Sequence, residues 1–220
     1  MWRQKGKTMK DETDITVVLD RSGSMASVRD DTIGGFNSFL EEQKAAPGSA
    51  RVSLVQFDDK YEVVYECRDV QDAPPLTPQT FVPRGSTALL DAIGRTMTAT
   101  GVRLAALPEA ERPEKVLLVV MTDGQENASR EFTGSQIFDM ITHQRKNYSW
   151  EVAFIGANQD AVVTGASYGL PASNALDYDA TPVGTRRAFG ILSKAATKMR
   201  ARAVMSSDEE FFSEEDKKQP

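Results

Sequence analysis

Histidine and cysteine are nearly missing from this chain: its 220 residues contain one of each, His143 and Cys67. A single cysteine excludes an intrachain disulfide framework and a thiolate zinc cluster, and a single histidine excludes a multi-imidazole metal site. No motif around His143 supports a nucleophile-histidine-acid triad. An excess of positive charge is lacking as well, since 26 Lys and Arg stand against 32 Asp and Glu for a formal charge of -6. A nucleic-acid surface neutralises phosphates with a basic stripe, so this balance argues against one. Long apolar runs are also absent. The longest, Val116 to Met121, is far too short to cross a bilayer, and the basic, polar stretch Met1 to Lys10 leads into no apolar segment of signal-peptide length. We therefore expect a soluble cytoplasmic protein with no membrane or nucleic-acid partner.

What is present is enough apolar residue, 40%, to bury a full core in one domain with appendages. Residues 1–13 read as a flexible arm, 14–204 as the folded domain and 205–220 as an acidic, disordered tail. Ile15 to Leu19 is a short, largely apolar run suited to a strand buried on both faces, and Val28, Ile33, Phe36, Phe39 and Leu40 then recur at helical spacing until Pro47-Gly48. Val52 to Phe57 and Tyr61 to Tyr65, joined by Asp58-Asp59-Lys60, predict a hairpin and so one antiparallel edge. Four prolines between residues 71 and 86 mark a loop. A helix from Ala88, a strand at Val116 to Met121, a helix around Ile137 and Ile141, and a strand at Val152 to Ile155 follow. A short helix near Ala161, an edge strand near Asn174 to Leu176 and a last helix from Val183 to about Ala203 complete the domain. Strands alternating with helices imply α/β architecture with a mostly parallel sheet covered on both faces.

The chemistry gathers at three strand ends. Asp20, Ser22 and Ser24 place one carboxylate and two hydroxyls on the loop after the first strand, with Gly23 permitting a tight backbone. Thr87 in Gly85-Ser86-Thr87 opens the helix that follows, and Asp123 in Thr122-Asp123-Gly124 closes the most apolar strand. In an open parallel sheet, ligands bind beyond the carboxyl ends of strands where neighbouring strands send their helices to opposite faces. If the strands ending at Asp20 and Asp123 are neighbours at that point, both carboxylates enter one crevice. Such an all-oxygen set suits Mg²⁺, with Mn²⁺ or Ca²⁺ as substitutes. With few full charges around it, the ion would stay electron-poor, and an incoming carboxylate would be its strongest available ligand.

The Asp-x-Ser-x-Ser at Asp20, Ser22 and Ser24, the Thr87 in GSTALLDAI and the Asp123 in VVMTDG resemble the metal-ion-dependent adhesion site (MIDAS) of von Willebrand factor type A (vWA) domains. The resemblance runs from about Thr13 to about Ala203, and DRSGSM resembles prokaryotic and phage-type members more than extracellular ones. It implies a Rossmann-like, doubly wound six-stranded sheet with one antiparallel edge strand, a bound Mg²⁺, and recognition of a partner's Asp or Glu side chain within a multi-protein assembly, for instance one containing an ATPase. Integrin-type relatives hold an adjacent second ion with an acidic pair shortly after the serines. Asp30-Asp31 fall a few residues later than that pattern, so the second site is not carried over.

Plainer roles compete with these. Either serine alone could cap a helix, and Thr122-Asp123-Gly124 alone is an ordinary turn. Asp91 is read as support for the helix start or the Asp20 loop rather than as a ligand, Asn37 as part of a solvated helix face, Asp58 as a hairpin-turn residue and His143 as a surface group. An Mg²⁺-dependent, phosphoesterase-like hydrolase is the rival function. A phosphoaspartyl mechanism wants a second Asp two positions after the first, and position 22 is Ser. We therefore read an interaction module and not an enzyme. The tail acids Asp208, Glu209, Glu210, Glu214, Glu215 and Asp216 are of the type an open metal vertex prefers, and the chain after Ala203 could span about 55 Å when extended. A solubilising tail is the reading taken, with the tail as a ligand of its own site the alternative.

Overall fold

Apolar alternation along the first strand decides the layering. The computed structural model describes residues 12–203 and 209–218. In β1 (Glu12–Asp20), Ile15, Val17 and Leu19 face one core and Val18 faces the other, so the strand is buried on both sides as its composition requires. The first core is closed by α1 (Arg29–Ala45) and α5 (Pro182–Arg200), through Phe36, Phe39, Leu40, Phe189 and Leu192. The second is closed by α2 (Leu89–Ala105), α3 (Gly134–Tyr148) and α4 (Ala161–Ser167), through Leu89, Ile93, Met97, Ile137, Ile141 and Ala161.

The remaining strands are β2 (Ser49–Phe57), β3 (Tyr61–Asp69), β4 (Lys115–Thr122), β5 (Glu151–Ala157) and β6 (Ala175–Tyr178). The sheet order is β3-β2-β1-β4-β5-β6, all parallel except β3, which runs antiparallel to β2 at one edge. β1 and β4 are adjacent, yet α1 leaves β1 toward one face and α3 leaves β4 toward the other. The expected reversal point therefore lies between the strands that carry Asp20 and Asp123. Among the described residues no helix is long and apolar enough to cross a membrane.

Three expectations need correction. The strand starts at Glu12 with Glu12 and Thr13 buried, so the arm expected over residues 1–13 gives up its last two residues to the sheet and otherwise lies outside the described residues. The tail expected to be disordered is anchored over residues 209–218. Phe211 and Phe212 are 2% and 0% exposed, pack edge to face at 4.8 Å, and join the core beneath α5. The Phe212 N–H donates to the Ser173 carbonyl (2.8 Å), and Arg187 donates to the Asp216 carbonyl (2.9 Å) beside the short helix α6 (Glu214–Lys218). Two adjacent aromatic rings bury enough apolar area to fix an otherwise charged segment. Third, Asn37 is not on a solvated face: its side chain donates to the Leu76 carbonyl and accepts from the Leu76 N–H (2.9 and 2.8 Å), while Leu76 and Phe81 are buried. The proline-rich loop is thereby held against α1.

Candidate metal centre

Asp20 ends β1 on the side of the sheet that carries α2, because it shares the parity of Val18. It is fully buried. One carboxylate oxygen accepts the Ser22 N–H (2.6 Å), which bends the chain back over the strand end, and the other accepts the Thr122 hydroxyl (2.5 Å) from the end of β4. The loop continues as a tight helical turn, Gly23–Val28, with Met25 and Val28 buried beneath it. Ser22 and Ser24 place their hydroxyl oxygens 3.0 Å apart, and the Ser24 hydroxyl donates to Asp123 Oδ1 (2.5 Å). First and third loops therefore meet directly.

Thr87 completes the group. It lies two residues before α2, rather than in its first turn, and is 3% exposed. A Cβ added to Gly124 would stand 3.2 Å from Thr87 Oγ1, 3.6 Å from Ser24 Oγ and 4.0 Å from Asp20 Oδ2. Oxygens from the first two loops thus crowd the space that the missing side chain of Gly124, on the third loop, leaves clear, and Asp123 joins them through its bond from Ser24. The structure brings together all five residues singled out from the sequence.

The electrostatics call for a cation. Burial pushes the Asp20 carboxyl up to about 6, against bonds from Thr122 and Ser22 that pull it down, and Asp123 adds like charge. Asp123 is raised for the same leading reason, its burial, opposed by the Ser24 hydroxyl. Among the described residues neither carboxylate has a Lys, Arg or His ion-pair partner, nor do three or more His, Cys, Asp or Glu side chains cluster as a metal site. Two buried acids with no counter-charge, ringed by hydroxyls, fit a hard divalent cation of modest ligand charge. Asp31, considered for a second ion, pairs instead with Arg186.

Residues beyond the expected five hold these loops in register. Asp91 accepts the backbone N–H groups of Arg130, Glu131 and Phe132 (2.8–2.9 Å). Burial opposes its ionisation, but these three bonds win and keep the carboxyl below its ordinary range. Asp91 is therefore support, as expected, although for the loop after β4 rather than the Asp20 loop. That loop caps α2 in return: Asn127 accepts the Thr87 N–H (2.9 Å) and Glu126 the Leu90 N–H (3.0 Å). Asn158 and Gln159, after β5, donate to the carbonyls of Asp123 and Gly124 (2.9 and 3.1 Å). Asp58 does sit in the hairpin turn, yet it is fully buried and takes bonds from two arginines, Arg21 and Arg84. His143 is exposed on α3, bonded to Asn147 and remote from the strand ends that form the site.

Of the described tail acids, Glu209 pairs with Arg202, Glu214 pairs with Lys217, and Asp216 bonds Ser213; none bonds to the five site residues. The tail residue that reaches the rim beside Asn158 and Gln159 is Lys217, lining a cavity of about 550 Å³.

No curated protein matches the chain. Solved structures do. The vWF domain of the type V pili tip protein Mfa5 from Porphyromonas gingivalis superposes with a TM-score of 0.62 at 12% identity, covering 87% of this chain and 97% of that one. The pilus adhesin SpaC from Lactobacillus rhamnosus GG gives 0.63 at 16% identity, covering 85% of this chain and 30% of that one. Proximal thread matrix protein 1 from the mussel byssus, in a form with a zinc-occupied MIDAS motif, gives 0.54 at 16% identity. The match covers 84% of this chain and 46% of the mussel protein, so the chain spans less than half of that relative. At these identities the likeness shows the fold. The von Willebrand factor type A domain model matches residues 14–164, most of the chain, and vWA domains commonly bind a divalent metal at the MIDAS and serve as interaction modules. With that match and this architecture, the chain belongs to the von Willebrand factor type A domain family.

Proposed function

We propose that this protein binds Mg²⁺ through Asp20, Ser22, Ser24, Thr87 and Asp123 and presents the ion to an Asp or Glu side chain of a protein partner in a larger assembly. The observation that carries this reading is the convergence of Asp20, Ser24 and Thr87 oxygens on the space over Gly124, with Asp123 bonded to Ser24 beside them and neither buried carboxylate offered a counter-charge among the described residues. When bound, the ion supplies a Lewis-acidic centre whose free vertex takes a carboxylate. The chain's own residues do the rest. Asp20 is oriented by Ser22 and Thr122, Ser24 ties the first loop to Asp123, and Ser24, itself exposed, leaves the rim accessible.

An interaction role is favoured over hydrolysis because no histidine or cysteine stands at the site and its raised carboxyl, Asp20, is itself one of the groups proposed to hold the cation. The one histidine lies on α3, and the cysteine sits on β3, where burial raises its thiol. Calorimetric titration of Mg²⁺ into the wild type and Thr87→Ala tests the site: the variant should lose at least about tenfold in affinity. A glutamate-bearing peptide, followed by nuclear magnetic resonance, should then perturb the Ser24 and Gly124 amides only with Mg²⁺ present. Equal Mg²⁺ affinity in the variant, or metal-independent peptide binding, would contradict the proposal.

A further inference from the structure

The β2–β3 hairpin turn holds a buried charge cluster that the five oxygens do not explain. Asp58 is fully buried. Its Oδ2 accepts from Arg21 Nε (3.0 Å) and from Arg84 Nε (2.9 Å), while its Oδ1 accepts the Lys60 N–H (2.6 Å) and so shapes the turn. Arg21 directly follows Asp20, and Arg84 precedes Gly85-Ser86-Thr87 by one residue. One carboxylate therefore grips the residues flanking two of the three metal loops.

Backbone bonds follow the same path. The Arg84 N–H donates to the Arg21 carbonyl (2.8 Å), the Gly23 N–H to the Gly85 carbonyl (3.1 Å), and the Ala88 N–H to the Asp58 carbonyl (3.0 Å). The Arg21 N–H donates to the Phe57 carbonyl (2.8 Å), and its guanidinium also meets Glu62 at 2.8 Å. Gly85, at a φ of +68°, lies under Asp59, whose carboxylate occupies the space a Cβ would need. These contacts make the hairpin turn a splice between loops that are otherwise separated by more than sixty residues of chain.

We propose that Asp58 is a positioning residue: by binding Arg21 and Arg84 together it fixes Ser22 and Ser24 relative to Thr87, so that their oxygens are already gathered before a cation arrives. Removing its charge takes away the one carboxylate bonded to both arginines, leaving Arg21 to Glu62 and Arg84 without its ion-pair partner, so the two loops lose their common tie. Outer partners that orient metal ligands commonly contribute 10–100-fold in affinity, and an effect of about that size belongs here. This inference rests on the metal reading above for its functional consequence, while the loop register it describes exists with or without metal.

Two measurements separate the two ideas. Hydrogen exchange of the Gly23 and Arg84 amides, in chelator, should be slow in the wild type and accelerate at least about tenfold in Asp58→Asn, while the Leu54 and Val119 amides stay protected. Mg²⁺ titration should show an affinity loss of about tenfold or more in the same variant. Should Asp58→Asn fail to fold, Arg84→Gln serves instead, because the Arg84 side chain is half exposed and tolerates replacement; it should accelerate the same amides and weaken Mg²⁺ in the same direction. Unchanged exchange in either folded variant would overturn the positioning role. Accelerated exchange in a protein whose wild type binds no Mg²⁺ would leave the splice standing and refute the metal reading. Accelerated exchange with undiminished Mg²⁺ affinity would show that the register does not matter for binding and would overturn the proposal as stated.

Discussion

At the scale of single residues, the site is a balance between burial and charge. The Asp20 carboxyl is pushed from 3.8 up to about 6, so between those values the folded protein retains a proton that the unfolded chain has released. Raising the pH through that window removes stability, by up to about 3 kcal/mol for a shift of this size. This carboxyl therefore favours pH 4 over pH 7 in the metal-free protein, opposing lowered acids such as Asp91, and Asp20→Asn should remove its share of the pH dependence. Thermal melts in chelator across that range measure it; an identical pH slope in the variant would show that Asp20 does not carry the effect. Gly124 supplies a second residue-scale outcome. A methyl group there stands 3.2 Å from Thr87 Oγ1 and 3.6 Å from Ser24 Oγ, within the space the oxygens surround. Gly124→Ala should fold with its melting temperature nearly unchanged and lose most of its Mg²⁺ affinity, read by calorimetry.

At the scale of elements, the strands and helices were largely legible in the sequence because burial on both faces leaves a distinctive apolar run, as at Ile15–Leu19 and Val116–Met121, and because helical stripes such as Leu89, Ile93 and Met97 keep their period. The five candidate residues could be singled out for a related reason: each follows a strand or precedes a helix, where a short motif keeps its spacing. What could not be read is what depends on meeting across the chain. Asp58 looks like any hairpin-turn acid, and its pairing with Arg21 and Arg84 exists only once β2 lies beside β1. The one available clue was Arg21 itself, a charge placed directly after a buried strand that needed an acid. Thr122 was likewise adjacent to a noted residue, but its bond to Asp20 depends on β4 pairing with β1. The tail misled because its average composition is charged, while two adjacent phenylalanines decide its fate. Phe212→Ala should cost about 3–5 kcal/mol, as for other buried aromatics, and should release α6 from Arg187 with little effect on Mg²⁺ affinity. Denaturant melts and calorimetry of that one variant test both halves, and a stability loss below about 1 kcal/mol would mean that the segment is not anchored there.

At the scale of the whole molecule, the two cores make a rigid platform, and the five candidate residues lie at the carboxyl ends of β1 and β4 and in the loop before α2. The three loops are cross-tied: the first to the third by Ser24 and Asp123, the first to the second through Asp58, and the second to the third through Asn127, Glu126 and Asp91. On the proposed reading, such ties let hydroxyls and two acids, weak donors individually, act as a preorganised cation site. The most direct test is a crystal of the full chain soaked in Mn²⁺ and measured at the manganese absorption edge. The account predicts one strong anomalous peak above Gly124, with Ser22, Ser24 and Thr87 hydroxyl oxygens or their bridging waters at about 2.0–2.2 Å, as hard-cation coordination requires. Well-ordered loops with no peak there, or a peak bound by other residues, would contradict it.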